Sequence, residues 1–110
     1  MTALTLDIAK FVATIDAGAM PERCNYGARI GMLDCVGTMI AGAEEPAVKL
    51  VAQMVAASTS NDGAPEIPGG RNLSAADAAL VNGVAAHVLD YDDVGMDGYP
   101  SAALTPAILA

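Results

Sequence analysis

The chain has 110 residues, of which 54% are hydrophobic and 16% charged, so it is a single small globular domain rather than a disordered chain. Its formal net charge of −8, from five basic and thirteen acidic residues, argues against nucleic acid and anionic membrane surfaces as partners. No uncharged apolar run reaches the roughly 18 residues that a membrane-spanning helix needs, so no membrane partner is expected.

The apolar content consists mainly of small side chains. Alanine supplies 23 residues, whereas there is one Phe and no Trp. Alanine buries little area per residue and suits helices that pack at close range. Such a domain has a thin core on its own, so the composition predicts that the chain packs against further protein.

Two features predict a cytoplasmic protein. The N-terminus lacks the basic region and cleavage pattern of a secretory signal peptide. Cys24 and Cys35 are eleven positions apart in one expected helix, which separates them by roughly 16 Å, too far for a disulfide. Unpaired cysteines are typical of a reducing compartment, and neither has a neighbouring base, so both are interpreted as packing residues.

The first helix is expected after Thr5, a candidate cap. Its apolar face has the helical spacing i, i+3, i+4, i+7 and consists of Ile8, Phe11, Val12 and Ile15.

The second helix is expected to start with Pro21 at its first position and to end at Gly42. Its apolar stripe comprises Cys24, Ala28, Met32, Cys35, Val36, Met39 and Ile40. Glycines within this helix predict the close approach of another helix. Asp34 either faces solvent or is a buried polar anchor, and the sequence leaves both open.

A third helix is expected from Pro46, with a buried face formed by Val48, Val51, Met54 and Val55. The segment "STSNDGAP" is typical of a loop, and "EIPGGRNLS" allows a short extended piece that Pro68 restricts to an edge or turn. No phosphate-loop pattern follows the two glycines, so nucleotide binding is not expected.

Ser74 and Asp77 form a capping-box-like S-x-x-D before "AADAALVNGVAAHVL", a helix that is apolar on nearly every face and is therefore expected to be buried. Asn82 and His87 must find partners if buried with it.

Thr105 and Pro106 resemble the cap and first position of another helix that has only five residues left. Together with the thin core, these features predict an incomplete domain of about five helices, all-α in class.

The most polar segment is "HVLDYDDVGMDGYPS", residues 87–101, which contains the only histidine and the carboxylates Asp90, Asp92, Asp93 and Asp97. A solvated helix exit and turn is one interpretation. An active site is another, because a carboxylate screened from water can serve as a base and a tyrosine can donate a hydrogen bond. The residue types alone leave both open.

A calcium loop starting at Asp90 is disfavoured. Gly95 falls at the sixth position of such a loop, but the fifth position is Val94 and the twelfth is Ser101, where a carboxylate is needed. A transition metal generally needs more than one His or Cys nearby. The sequence therefore predicts no metal ion.

The stretch "LVNGVAAHVLDYDDVGMDGYPSAALTPAILA" resembles the signature of the MmgE/PrpD family, approximately NG-x-x-x-H-x-L-D-[YF]-D-D, a short turn, H-P-S and a Pro-Ala helix start. "MLDCVGTMIAG" is similar to the family's L-D-x-x-G-x-x-x-x-G helix, and "LTLDIAKFVATI" with "MPERCNYGARI" is similar to its opening. The resemblance spans nearly the whole chain, and the NG-to-PS stretch is its most specific part.

This resemblance implies a fold and an activity. Family members include 2-methylcitrate dehydratase, cis-aconitate decarboxylase and related epimerases or isomerases, which are described as metal-independent and act on small polycarboxylates. Their fold combines a large helical domain with a smaller α/β lid and is usually dimeric. Because full members are several times longer, residues 1–110 are expected to be the N-terminal segment of the helical domain, without the lid and without a cofactor.

The resemblance also implies site residues. The family's first Asp of D-[YF]-D-D corresponds to Asp90 and its H-P-S histidine to Tyr99, so these two are the expected catalytic residues, with Ser101 and His87 expected to bind substrate. Tyr99 departs from the pattern, because an imidazole can be a cation or proton shuttle at neutral pH whereas a phenol stays neutral. His87 is interpreted as a packing or orienting residue on the buried helix.

The expected function is therefore the N-terminal part of a lyase or isomerase that abstracts a proton next to a carboxylate, with dehydration favoured and the chain inactive alone. Its expected partners are a small carboxylate substrate and either a second copy or a completing polypeptide. The alternative is a non-catalytic helical module or a split subunit completed by a second chain.

Overall fold

The structure is a computed structural model that describes residues 3–95 and 97–110. The described residues form five α-helices joined by loops and one small hairpin, which confirms the expected mostly helical fold. The helices are α1 (Leu4–Thr14), α2 (Glu22–Gly42), α3 (Pro46–Met54), α4 (Ala75–His87) and α5 (Pro100–Leu109), and the strands are β1 (Ala64–Glu66) and β2 (Arg71–Leu73). Short 3₁₀ turns lie at Ala17–Ala19 and Ala56–Ser58.

Helix α4 is central and packs against α2, α3, α5 and the hairpin. It starts as expected, since Ser74 Oγ accepts a hydrogen bond from the N–H of Asp77. Four of the nine buried apolar residues of the core are alanines, so the helices approach closely around a thin core. The buried apolar residues are Cys35, Met39, Val48, Ala64, Leu73, Ala78, Val81, Ala85 and Ala86.

Strands β1 and β2 pair antiparallel, and Asn82 of α4 fastens the hairpin to the core. The fully buried Asn82 amide accepts a hydrogen bond from the N–H of Ile67 and donates one to the carbonyl of Pro65, both at 2.9 Å. The expectation that a buried Asn82 needs partners is thus confirmed. Gly70 has a φ of 68°, which the tight turn before β2 requires.

The N-terminal region corrects one sequence expectation. Thr5 lies inside α1 rather than capping it, because the helix begins at Leu4 after Ala3, which makes no side-chain cap. The amphipathic spacing is real, but the face is not buried: Phe11 is 63% exposed and none of the helix residues is buried. Periodicity identifies the helix without identifying what covers it.

Smaller differences follow along α2 and α3. Pro21 caps α2 from the position before its first residue. Asp34 is exposed, which resolves its two interpretations in favour of a solvent-facing residue. Met54 is 77% exposed although it was expected on the buried face of α3, and Ile40 of the α2 apolar stripe is 62% exposed. The apolar residues of α2 and α3 cover a wider part of each helix surface than the part that is buried against the core.

The last helix is longer than expected. Helix α5 begins at Pro100, so Thr105 and Pro106 lie inside it and are buried rather than starting a new helix. The interpretation of a helix cut off after five residues is therefore wrong. Pro100 occupies a first-turn position, where its missing N–H costs no hydrogen bond.

Among the described residues, no helix is both long and apolar enough to cross a membrane.

Candidate functional site

The candidate site lies where α4 ends and the acidic turn begins. The N–H of Asp90 donates to the carbonyl of His87 at 2.9 Å, which closes the last turn of the chain before it leaves the helix. Asp90 has a φ of 55°, in the left-handed region that Asp tolerates better than most residues. This conformation ends α4 and leaves the Asp90 side chain exposed beside the helix end.

His87 forms an ion pair or hydrogen-bonded pair with Asp92. Its Nδ1 atom lies 3.0 Å from Oδ1 and 3.0 Å from Oδ2 of Asp92. The Asp92 side chain is fully buried, whereas that of His87 is 48% exposed. His87 was expected to be a packing or orienting residue on the buried helix; its ring lies at the surface side of that helix, against a buried carboxylate.

Tyr99 lies against the same imidazole. The two ring centroids are 4.5 Å apart with planes tilted by 55°, a favourable aromatic arrangement. Tyr99 is 41% exposed. The structure therefore brings together three of the four predicted site residues: His87 is in contact with Tyr99, and its donor atoms lie close to those of Asp90.

Ser101 faces a different groove. A Cβ added at Gly31 of α2 would lie 3.4 Å from Ser101 Oγ, so this hydroxyl points toward α2. It lines a groove of about 350 Å³ between α2 and α5, whereas His87 lines a separate shallow groove along α4. The structure thus does not place the Ser101 side chain in the groove that His87 lines.

Asp93 has a structural role. Its Oδ1 accepts a hydrogen bond from the N–H of Ser101 at 3.1 Å, which satisfies a free N–H in the first turn of α5. The carbonyl of Ser101 accepts from Cys35 Sγ at 3.3 Å. Together these contacts fix the start of α5, and hence Tyr99, relative to α2.

The turn between the acidic residues and α5 is a tight hairpin. Gly95 and Gly98 exchange two backbone hydrogen bonds of 2.9 Å each. Asp97 lies in this turn with a φ of 59° and an exposed side chain. Closing the chain here brings Tyr99 back to His87, twelve positions earlier.

Donor atoms of His87, Asp90 and Asp92 all lie within 4.8 Å of one another, a spacing that a divalent cation could bridge. However, Nδ1 of His87 is already engaged by both oxygens of Asp92. One imidazole and two carboxylates also fall short of the ligand sets of most transition-metal sites. The geometry is that of a hydrogen-bonded His–Asp pair with a second carboxylate beside it.

The site is strongly acidic. Among the described residues, the ion pairs made by lysine and arginine lie elsewhere, between Lys49 and Glu44 and between Arg71 and Glu66. Within the acidic turn, His87 pairs with Asp92, and its imidazole carries a positive charge when it is protonated. The acidic field extends to α2: burial raises the pKa of the Cys35 thiol, and the charges of Asp92 and Asp93 raise it further.

Sequence reasoning missed the pairing of His87 with Asp92. The two residues are five positions apart, a spacing that does not share a face within one helix. The chain leaves the helix between them, so the carboxylate folds back onto the ring. The signal available in the sequence was an Asp near the expected end of the helix, because Asp adopts the left-handed conformation more readily than most residues.

Known proteins place the chain in a family. No curated protein and no solved structure matches it, but the family model of the MmgE/PrpD N-terminal domain matches residues 6–110. That match spans nearly the whole chain and includes the candidate site. The chain therefore belongs to the MmgE/PrpD family, through its N-terminal domain.

Proposed function

We propose that this chain forms one wall of an active site for small polycarboxylates, as part of a lyase or isomerase that abstracts a proton next to a carboxylate. Dehydration is the reaction we favour. The observation that carries the proposal is that the exposed carboxylate of Asp90 lies beside the His87–Asp92 pair. One donor atom from each of the three residues lies within 4.8 Å of the other two.

In this proposal Asp90 is the base. Its carboxylate is exposed at the end of α4, so a substrate can reach it. Its backbone is held by the hydrogen bond to His87 and by the left-handed turn. A positioned carboxylate typically contributes about 10²- to 10⁴-fold to a rate as a general base.

Tyr99 is the proposed hydrogen-bond donor to a substrate oxygen. Its phenol is neutral near pH 7 and can donate to a carbonyl, carboxylate or developing enolate oxygen. Contact with His87 and the fixed start of α5 orient its ring. Ser101 is proposed only for a substrate group that extends into the groove between α2 and α5, because its hydroxyl points there.

The electrostatics require cations from another surface. A polycarboxylate substrate is repelled by Asp90, Asp92, Asp93 and Asp97 unless positive charge offsets them. We therefore propose that a second copy or a completing polypeptide supplies lysine or arginine residues, and that the chain alone turns over no substrate. No cofactor enters this scheme.

The test is dehydration of 2-methylcitrate, and decarboxylation of cis-aconitate, by the chain alone and after coexpression with the remaining domains of an MmgE/PrpD member. We expect turnover only in the completed protein, and at least about a hundredfold loss in Asp90→Asn. The matched control is Asp97→Asn, an exposed acidic residue in the same turn. Turnover by the chain alone would overturn the incompleteness, and equal activity of the two variants would overturn the role of Asp90.

A second candidate function is a non-catalytic helical module or split subunit. The exposed apolar face of α1 favours it, because none of the α1 residues is buried. A stable monomer in sedimentation experiments, with no copurifying chain, would contradict this candidate. Copurification of a second chain that carries no carboxylate-converting activity would support it over the lyase.

We also infer a cytoplasmic location. Cys24 and Cys35 are both free thiols on α2, as expected for a reducing compartment. Fractionation of the producing cells tests this inference.

A further inference from the structure

We propose that His87 is the general acid of this site and that Asp92 is its positioning residue. In this proposal the imidazole of His87 delivers the proton that the phenol of Tyr99, which lies beside it, cannot deliver. This inference rests on the proposed function, in which Asp90 is the base. It assigns to the His87–Asp92 pair a task that neither composition nor spacing indicates.

The orientation of the ring is the first step. Nδ1 points at the buried Asp92 carboxylate, 3.0 Å from each oxygen, while about half of the side chain is exposed. An ionised carboxylate only accepts hydrogen bonds, so Nδ1 carries a proton in both charge states of the ring. Nε2 is therefore the nitrogen that gains and loses a proton, and among the described residues it has no hydrogen-bond partner.

Burial of Asp92 is the second step. A carboxylate with no solvent contact is poorly stabilised by water, so it interacts strongly with a positive charge beside it. Protonation of His87 at Nε2 supplies that charge. Asp92 thus holds the ring in one tautomer and pairs with its cationic form, the role that a buried carboxylate has beside a catalytic imidazole.

The position of Tyr99 is the third step. Its ring contacts the imidazole at 4.5 Å between centroids, so a substrate oxygen bound by the phenol lies beside the imidazole. The phenol is a weak acid at neutral pH and cannot readily release a proton to a departing hydroxyl. The imidazolium next to it can.

The resulting step balances. Asp90 takes the proton from the carbon next to the substrate carboxylate, and that electron pair forms the new C=C bond. The hydroxyl on the neighbouring carbon leaves with its bonding electrons and takes the Nε2 proton of His87, departing as water. Asp90 is then protonated and His87 neutral. Both side chains are exposed, so exchange of protons with solvent water returns Asp90 to the carboxylate and Nε2 of His87 to its protonated form.

The experiment separates the acid from the base by changing the leaving group. In the preparation that dehydrates 2-methylcitrate, His87→Gln should lower kcat by about 10²- to 10⁴-fold with little change in KM. With an analogue that carries fluoride in place of the departing hydroxyl, no proton is needed, and the same variant should lose less than about threefold. Asp90→Asn should lose activity with both substrates, and Asp97→Asn with neither.

Equal losses of His87→Gln on the hydroxyl and fluoride substrates would overturn the acid role while leaving the proposed function intact. Absence of turnover by the wild-type protein, alone and completed, would instead overturn the proposed function and this inference with it. The two failures are therefore distinguishable.

A second measurement needs no turnover. His87 is the chain's single histidine, so ¹⁵N NMR of labelled protein reports its tautomer without assignment. We expect the neutral ring to be protonated at Nδ1, and Asp92→Asn to lose that preference whereas Asp97→Asn retains it. A neutral wild-type ring protonated at Nε2 would overturn the proposal, whatever the activity.

Discussion

The two ends of α2 lie in opposite surroundings although each contains two glycines. At the C-terminal end, a Cβ on Gly42 would overlap the carbonyl oxygen of Ala85 and lie 2.8 Å from Cγ1 of Val88, so α2 and α4 touch backbone to backbone. Toward the N-terminal end, a Cβ on Gly27 would meet nothing within 4 Å, and Tyr26 and Ile30 are 65% and 48% exposed.

The two regions also differ in the side chains at their surfaces and helix contacts. The packed region, formed by the end of α2 with α4 and the hairpin, is built largely from alanine, glycine and valine that permit close contact. The exposed region, formed by α1 and the start of α2, displays large apolar side chains. Exposed apolar surface of this kind agrees with the proposed need for further protein.

The largest contrast is expected between Leu73→Ala and Phe11→Ala. Leu73 is fully buried in the packed region, so its truncation should lower the free energy of unfolding by about 2–5 kcal/mol. Phe11 is 63% exposed, so its truncation should change stability by less than about 0.5 kcal/mol. Urea unfolding of the two variants measures both values. A large loss in Phe11→Ala would show that the exposed region is covered in solution.

A paired glycine substitution sharpens the same comparison within one helix. Gly42→Ala forces α2 and α4 apart and should cost about 1–3 kcal/mol, because the obstacle is backbone. Gly37→Ala, which meets nothing within 4 Å, should stabilise the helix by up to about 1 kcal/mol. Thermal unfolding of the pair provides the test. Stabilisation by both substitutions would contradict the close contact between α2 and α4.

The sequence predicted the packed region better than the exposed one. Helical spacing, the Ser74 cap and the demand of Asn82 for partners all depend on local rules or on burial, and the structure confirms them. The α1 face shows the limit: its spacing identifies an amphipathic helix, but nothing in the spacing says which surface covers it. Tertiary packing decides which surface covers the helix, and the spacing of apolar residues within one helix carries no information about it.

The sequence predicted which residues belong to the candidate site, but it did not predict how their side chains contact one another. Asp90 and Tyr99 came from the family resemblance, whereas the contact between His87 and Asp92 depends on a chain reversal at a left-handed residue. The start of α5 was missed for a similar reason. One of its N–H groups is satisfied by Asp93, eight positions before Ser101, and local capping rules do not reach that far.

Asp93, which precedes α5, provides a smaller effect. Asp93→Ala removes the acceptor for the Ser101 N–H and should cost about 1 kcal/mol, the usual cost of losing a helix cap. It should also loosen Tyr99 against His87, which would be visible as a shift of the single histidine signal in NMR. Asp34→Ala, which removes an exposed carboxylate from α2, is the control and should leave that signal unchanged. An unchanged signal in both variants would mean that α5 is fixed by its other contacts.

The smallest effect concerns the two thiols of α2, one in each region. Burial raises the pKa of the Cys35 thiol from its ordinary 9.0, with added repulsion from Asp92 and Asp93, and its side chain is inaccessible. Iodoacetamide reacts with thiolates, so at pH 8 Cys35 should be alkylated at least about tenfold more slowly than the half-buried Cys24. Peptide mass spectrometry after timed quenching measures both rates in one sample.

The raised pKa of Cys35 also makes the free energy of unfolding fall at alkaline pH. Because folding holds the Cys35 thiol in its neutral form, the associated stability is fully present below pH 9 and is lost as the pH rises through the raised folded pKa. Cys35→Ala should therefore flatten the alkaline fall of the unfolding free energy, although it lowers stability at pH 7 by creating a small cavity. Cys24→Ala should leave the alkaline slope unchanged. An equal change of slope in both variants would place the two thiols in the same surroundings and remove the difference between the two ends of α2.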